Sequence, residues 1–318
     1  MEKTIFIIGT AMLILLIIGT THNYLTEGSR IIYVGYLPSS HQAALFAADE
    51  LELFDKNNLS VQLVPFSSGA EMVKALEQEK IDIGYCGITP VTAAIDKGYS
   101  LKIVAPVNLE GSGIVNAENS NIEKASDLEN TTVAIPKNGS IQDLLLHIYL
   151  KNNHVNFSNI NITESEVPMM PFGLQEDSYD SYVAWEPFVS IGKDLEIGKV
   201  LVYSQDIWPN HPCCIIVTSE NFIKNKPLTL SKFLKVHVQS TQYIIDYPEK
   251  NIYFLSKKMG TLDEVEMESL NHIKFVALPN TEFKTNIMQM IQFQKEMGYI
   301  NNNLSFNQVC NFNYIPSQ

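Results

Sequence analysis

The fold of this chain is decided by residues 31–107, which read IIYVGYLPSSHQAALFAADELELFDKNNLSVQLVPFSSGAEMVKALEQEKIDIGYCGITPVTAAIDKGYSLKIVAPV. Short runs rich in β-branched and aromatic residues alternate here with segments whose apolar residues recur at helical spacing. Pro, Gly or Ser lies at each change from a strand-like run to a segment with helical spacing. The stretch therefore predicts the order β-α-β-α-β-α-β with short connections, which is typical of a mostly parallel sheet with helices on both faces.

The same alternation restarts after this stretch, and a helical tail follows. Strands are predicted at 131–136, 160–167, 181–185 and 198–204, with a helix at 141–152. The crossover between the second and third of these strands, at 168–180, has room for only one or two helical turns. After a strand at 213–219, helices are predicted at 228–246, 248–258, 262–272 and 280–297.

Two α/β units in series predict two lobes joined by a hinge, with the interlobe cleft at the carboxyl ends of the strands. We expect residues 31–112 and 213–318 to form the first lobe, because the tail returns to complete it. Residues 113–212 are expected to form the second lobe.

The N-terminus has the layout of an export signal. Lys3 precedes an apolar run from Ile5 to Gly19, which is short for a membrane-spanning helix of about 20 residues. Residues 1–22 are interpreted as either a cleaved signal peptide or an uncleaved membrane anchor. Both place the remainder outside the cytoplasm, and the sequence contains no second apolar run typical of a channel or permease.

Composition excludes nucleic acid as a partner. The formal net charge is −13 and Arg30 is the only arginine, whereas binding to phosphate backbones requires clustered Lys and Arg. An apolar fraction of 45% suits a globular protein that forms its core without disulfides.

The cysteines predict neither a metal site nor a disulfide framework. Cys86, Cys213, Cys214 and Cys310 contain no CxxC pair, and adjacent cysteines rarely bridge each other. A bridge from Cys86 to Cys213 or Cys214 is left open. The spacing of His211 and Cys213 fits no standard metal site, so no metal and no cofactor are expected.

Four strand-to-helix junctions are candidate ligand contacts, because a helix N-terminus offers free N–H groups and the positive end of its dipole. Ordinary helix capping by Ser, Thr and Asn explains the same residues equally simply. The candidates at these junctions are Tyr36, Leu37, Ser39, His41, Ser68, Cys86, Gly87, Ile88, Thr89, Asn138, Gly139 and Ser140.

Five further candidates lie elsewhere. Ser112 follows a glycine at the first crossing between the lobes, and Asn210 and His211 lie in the proline-rich second crossing. Trp185 offers a flat apolar wall and Glu186 a hydrogen-bond acceptor directly after a strand. Trp185 and Glu186 can also be explained without a ligand, as an ordinary helix start with a proline at the first helical position and a carboxylate beside it.

Four stretches, in this order, resemble the solute-binding proteins for nitrate, sulfonate, taurine and thiamine-type pyrimidines. They are residues 35–105, SDLENTTVAIPKNGSIQDLLL (126–146), YVAWEPF (182–188) and WPNHPCCIIVTSENFI (208–223). The resemblance implies a periplasmic-binding-protein type II fold that delivers its ligand to an ABC permease and its ATPase. It also implies that the junctions at 86–89 and 138–140 face each other across the cleft. The short stretch at 168–180 departs from the family pattern.

The sequence therefore predicts an extracytoplasmic solute-binding subunit of an ABC importer, a monomer and not an enzyme. A small sulfonate or other oxoanion ranks first as solute and a thiamine-type pyrimidine or other heteroaromatic second. Two other classes stay open. One is an enzyme related to pyrimidine synthesis with Cys86 or Cys213 as nucleophile, and the other is a sensor ectodomain.

Overall fold

Two β-sheets organise the chain. The structure is a computed structural model that describes residues 30–316, and the predicted export segment at 1–22 lies outside the described residues. The strands are β1 (Ile32–Tyr36), β2 (Val61–Pro65), β3 (Ile83–Gly87), β4 (Leu101–Glu110), β5 (Ser112–Ala117), β6 (Thr132–Ile135), β7 (Asn161–Glu164), β8 (Ser181–Trp185), β9 (Gly198–Tyr203), β10 (Pro212–Ser219) and β11 (Ile273–Phe275).

The first sheet has the order β11-β4-β10-β3-β1-β2. Strand β1 pairs in parallel with β2 and β3, as the alternating pattern predicts, whereas β10 runs antiparallel to β3 and β4. The second sheet has the order β7-β6-β8-β5-β9. Its β6 is parallel to β7 and β8, and β5 is antiparallel to β8 and β9.

The chain passes between the sheets at two places. Gly111 alone separates β4 from β5, and it has a φ of +84°. The return runs from Ser204 to His211, between β9 and β10. Strand β5 was not predicted from the sequence.

Helices cover the sheets. They are α1 (Ala43–Glu50), α2 (Leu53–Lys56), α3 (Gly69–Glu77), α4 (Ile88–Asp96), α5 (Ile141–Asn152), α6 (Met170–Gln175), α7 (Phe188–Asp194), α8 (Ser204–Ile207), α9 (Glu220–Asn225), α10 (Pro227–Asp246), α11 (Pro248–Met259), α12 (Asp263–Asn271), α13 (Thr281–Glu296) and α14 (Phe306–Val309). The six residues of α6 confirm the shortened crossover helix.

One predicted helix is divided. The periodicity of residues 41–54 predicts a single helix, but the chain forms a 3-10 turn at Ser40–Gln42, then α1, then α2. The break occurs at Glu52, whose φ of +54° is left-handed. No Gly or Pro marks this position, so the usual sequence signal for a helix break is missing.

Packing of the tail helices onto the first sheet explains their stability. Phe233 on α10 is fully buried, stacks on Phe54 at a ring-centroid distance of 5.4 Å and meets Tyr85 of β3 edge-on. Full burial of a large aromatic side chain stabilises a fold by a few kcal/mol, roughly 25 cal/mol per Å² of apolar surface. The tail thereby holds the first sheet and its strand ends in place.

Across residues 30–316, none of the helices combines the length and apolar character that crossing a bilayer requires.

Candidate functional site

A cavity of about 590 Å³ lies between the two lobes, within the roughly 300–1,000 Å³ range of small-molecule sites. Residues after β1, β3 and β6 and residues at the starts of α3, α4 and α5 line it, so the carboxyl ends of strands from both sheets face one another. Predicted site residues that line the cavity are Leu37, Ser39, His41, Ser68, Gly87, Asn138, Gly139, Ser140 and Trp185.

Helix N-termini from both lobes meet at this cavity. Ser68 caps α3 by accepting a hydrogen bond from the Glu71 N–H, and Ser140 caps α5 by accepting one from Asp143. The first-turn amides of such helices have no partner inside the helix. The cavity wall therefore carries hydrogen-bond donors and the positive ends of helix dipoles.

Part of the α5 N-terminus is already occupied by the protein's own carboxylates. The Gly139 N–H donates to Asp143 Oδ2 at 2.7 Å, and the Asn138 N–H donates to Glu164 Oε1 at 2.9 Å. An anionic solute would therefore share this end of the cavity with Asp143 and Glu164.

The charged side chains in the wall are balanced in sign. Three lysines and three glutamates line the cavity, and Lys137 and Glu164 form an ion pair of 2.6 Å. The charged residues in the wall are Lys74, Lys97, Lys137, Glu71, Glu164 and Glu166. The wall thus presents both signs of charge to a solute.

Two polar side chains in the wall lack partners. The Gln42 side chain is fully buried, and neither its amide nitrogen nor its oxygen has a hydrogen-bond partner. Trp185 Nε1 is likewise buried without a partner. Since unpaired buried polar groups cost roughly 1–3 kcal/mol each, these atoms are suited to bind a solute.

Eight predicted residues lie outside the cavity wall. Tyr36 packs edge-on against Phe46, Ser112 Oγ accepts a hydrogen bond from Gln142, and Asn210 Oδ1 accepts one from Lys274. The eight are Tyr36, Cys86, Ile88, Thr89, Ser112, Glu186, Asn210 and His211. Burial lowers the pKa of His211 to about 4, because a charged imidazole there would be desolvated.

Glu186 is buried and does not line the cavity. Its side chain is fully buried, Oε2 accepts hydrogen bonds from the Ser190 N–H (3.0 Å) and the Ser269 hydroxyl (3.3 Å), and Oε1 has no partner. Burial raises the pKa of Glu186 to about 7, and the two hydrogen bonds only partly offset it. The two hydrogen bonds link α7 to α12, and a structural role fits this arrangement.

Sequence reasoning missed a cluster formed by His41, Cys213 and Cys214. All three side chains are buried and line the cavity. His41 Nδ1 lies 3.4 Å from Cys214 Sγ and 3.5 Å from Cys213 Sγ, and the sulfurs are 3.9 Å apart. No spacing in the sequence signals the cluster, because His41 is separated from the cysteines by more than half of the chain. All four cysteines are free.

The lobes touch beside the cavity. A Cβ placed on Gly87 of the first lobe would lie 3.1 Å from Ile141 Cδ1 of the second. The Tyr299 hydroxyl donates to Asp143 Oδ2 at 2.6 Å and links the helical tail to α5. These contacts join the two lobes beside the cavity.

Two α/β sheets with converging helix N-termini and a cavity between them define a two-lobed binding protein. The ligand-binding component of an ABC-type import system from Staphylococcus aureus, solved with zinc bound, has the same fold. It superimposes with a TM-score of 0.82 at 21% identity, over 90% of this chain and 98% of that one. The predicted periplasmic-binding-protein fold is therefore confirmed.

The chain belongs to the NMT1-like family, whose model matches residues 26–254. It is 25% identical to a putative aliphatic sulfonates-binding protein of Escherichia coli, over 75% of each chain. It is 23% identical to the nitrate import ATP-binding protein NrtC of Synechocystis, over 67% of this chain but 35% of that protein. The family predicted from the sequence is thereby confirmed, and the chain spans only about a third of the length of NrtC.

Proposed function

We propose that this chain is the extracytoplasmic solute-binding subunit of an ABC importer and captures a small solute by closing its two lobes. The observation that carries the proposal is the cavity of about 590 Å³ onto which helix N-termini of both lobes converge. Such a site favours binding and release of an unmodified molecule.

A small sulfonate or related oxoanion is the proposed solute class. First-turn amides and helix dipoles favour an anionic group. The balanced lysines and glutamates of the wall favour a solute that also carries a cationic or neutral polar end. Sulfonate-binding and taurine-binding proteins among the relatives support this choice.

A heteroaromatic solute, such as a thiamine-type pyrimidine, is the second candidate. The half-buried ring of Trp185 faces the cavity, and its unpartnered Nε1 could donate a hydrogen bond to a ring nitrogen or carbonyl. A relative at 23% identity is a putative thiamine biosynthesis protein of Haemophilus influenzae.

The partners that follow from this proposal are a membrane permease and its ATPase. Residues 1–22 would export the chain or anchor it beside the permease, and the chain would act as a monomer without catalysing a reaction.

A thermal-shift screen of the full-length chain tests the proposal. One set contains taurine, alkanesulfonates, nitrate and bicarbonate, and the other contains thiamine-type pyrimidines. Because a solute at 100 times its Kd stabilises the native state by about 2.7 kcal/mol, we expect one compound to raise Tm by several degrees and to be recovered unchanged. Turnover of that compound, or no shift with either set, would contradict the proposal.

Replacing Gly87 with valine is expected to weaken binding of that solute at least tenfold. Gly87 has an ordinary φ of −61°, so the backbone accepts a side chain, but the new methyl groups would meet Ile141 across the cleft and hold the lobes apart. Titration calorimetry measures the loss. Adding Ile141→Ala to Gly87→Val should restore part of the affinity; unchanged affinity in Gly87→Val would contradict a binding mode that requires closure.

A further inference from the structure

The His41–Cys213–Cys214 cluster has the dimensions of a metal site. Given separations of 3.4, 3.5 and 3.9 Å among the three donor atoms, one point lies about 2.1 Å from all of them, and zinc bonds to nitrogen and sulfur measure roughly 2.0–2.3 Å. An ion slightly out of the plane of the three donors would bind all three, with its remaining tetrahedral direction free for a fourth ligand.

A β-bulge brings both thiols to one side of the strand. Successive side chains of a regular strand point to opposite faces, so adjacent cysteines would normally diverge. Here Pro212 pairs with Leu109 and Cys214 with Asn108, which makes Cys213 an extra residue in β10. Bulges of this kind commonly redirect a side chain beside a functional site.

The surroundings of His41 orient it as a ligand. Its Nε2 lies 2.8 Å from the Gly111 carbonyl oxygen, which can only accept a hydrogen bond. The neutral ring therefore carries its proton on Nε2 and points the Nδ1 lone pair at the two sulfurs. A backbone carbonyl that fixes the histidine tautomer is the usual second partner of a metal-binding imidazole.

Charge selects the class of ion. Two thiolates and a neutral imidazole carry a charge of −2, and a divalent cation makes the buried cluster neutral, whereas a monovalent ion leaves a net negative charge in an apolar wall. Sulfur donors exclude Mg²⁺ and Ca²⁺, which prefer oxygen.

We propose that His41, Cys213 and Cys214 bind one thiophilic divalent cation of the zinc class in the wall of the cavity. Because all three residues line the cavity, the fourth ligand is water or a donor atom of the solute. The proposal depends on these three side chains alone and holds whichever solute the cavity takes.

Metal titration of the full-length, untagged and reduced chain tests the proposal without any solute. We expect one Zn²⁺ per chain in competition with a chromophoric chelator. Co²⁺ should give the intense visible bands of a tetrahedral site and a thiolate-to-cobalt charge-transfer band in the near ultraviolet.

Variants assign the site. The Cys213→Ser/Cys214→Ser variant should lose at least a hundredfold in Zn²⁺ affinity together with the charge-transfer band, and His41→Ala at least tenfold. The matched control is Cys310→Ser, which removes a buried thiol outside the cluster and should bind like the original chain. Circular dichroism establishes that each variant is folded, and the single variants Cys213→Ser and Cys214→Ser serve if the double variant is not. Equal Zn²⁺ binding by the folded cysteine variants and Cys310→Ser, or cobalt spectra without thiolate charge transfer, would overturn the proposal.

Discussion

Replacing Gly111 with alanine should lower the free energy of unfolding by about 2–5 kcal/mol. Two costs add at this position. Its φ of +84° is left-handed, which costs a residue with a Cβ roughly 1–2 kcal/mol. The added methyl group would also overlap His41 Nε2 and lie 2.9 Å from Ile273 Cγ1, and overpacking of a buried site costs about 1–3 kcal/mol.

The overlap at Gly111 cannot be relieved by a simple side-chain movement. The His41 ring is buried and held by the Gly111 carbonyl on one side and by two sulfurs on the other. Gly111 also accepts a hydrogen bond from the Glu186 N–H at 3.0 Å, so a displaced backbone would disturb the start of the Trp185–Glu186 segment.

Urea unfolding measures this effect, and Gly98→Ala is the matched control. Gly98 has a similar φ of +93°, but a Cβ there would meet no atom within 4 Å. The control should therefore lose only the backbone cost of about 1–2 kcal/mol. Equal losses in the two variants would show that the contact with His41 is unimportant for stability.

Replacing Glu186 with glutamine should remove a pH-dependent loss of stability of about 3 kcal/mol. The folded-state pKa of Glu186 is raised from the ordinary 4.5 to about 7 by burial, and each pKa unit corresponds to about 1.4 kcal/mol. The protonated side chain is favoured in the fold, so its contribution is complete below pH 4.5 and is lost as the pH rises through 7.

The neighbours of Glu186 set the size of this effect. Burial of the unpartnered Oε1 disfavours the carboxylate, and the hydrogen bonds from the Ser190 N–H and the Ser269 hydroxyl offset this only in part. A neutral amide of the same shape keeps the packing and the acceptor but cannot ionise.

Unfolding free energies of the original chain and Glu186→Gln, measured from pH 4 to pH 8, test this prediction. The difference should grow in favour of the variant as the pH rises. Exposed Glu118 provides the control variant Glu118→Gln, which removes one negative charge without touching a buried group. A difference between Glu186→Gln and the original chain that does not change with pH would contradict a raised pKa.

The sequence predicts most of the fold because the information is local. In the stretch at 31–107, apolar residues alternate between strand spacing and helix spacing. Each strand and helix there can be predicted from its own residues and from the Pro, Gly or Ser residues at its ends. The tail helices at 227–246 and 281–296 were predicted to within a residue or two for the same reason. The break at Glu52 could not be predicted, because a left-handed glutamate leaves no compositional signal.

The site was predictable only in outline. Junction residues such as Gly87 and Ser140 line the cavity because parallel strands place their carboxyl ends at one edge. Glu186 follows a strand just as closely, but its side chain is buried against Ser190 and Ser269. The pairing of His41 with Cys213 and Cys214 depends on a bulge in β10 and on the return of the chain to the first sheet, and both are tertiary features.

A crystal structure of the full-length chain grown with the compound that raises Tm most would test the central claim directly, because it locates the solute. We predict that the solute lies between Gly87 and Ser140, with an anionic group on the helix N-termini and both lobes in contact with it. A solute bound outside this cavity, or one that contacts a single lobe with the cleft open, would contradict capture by lobe closure.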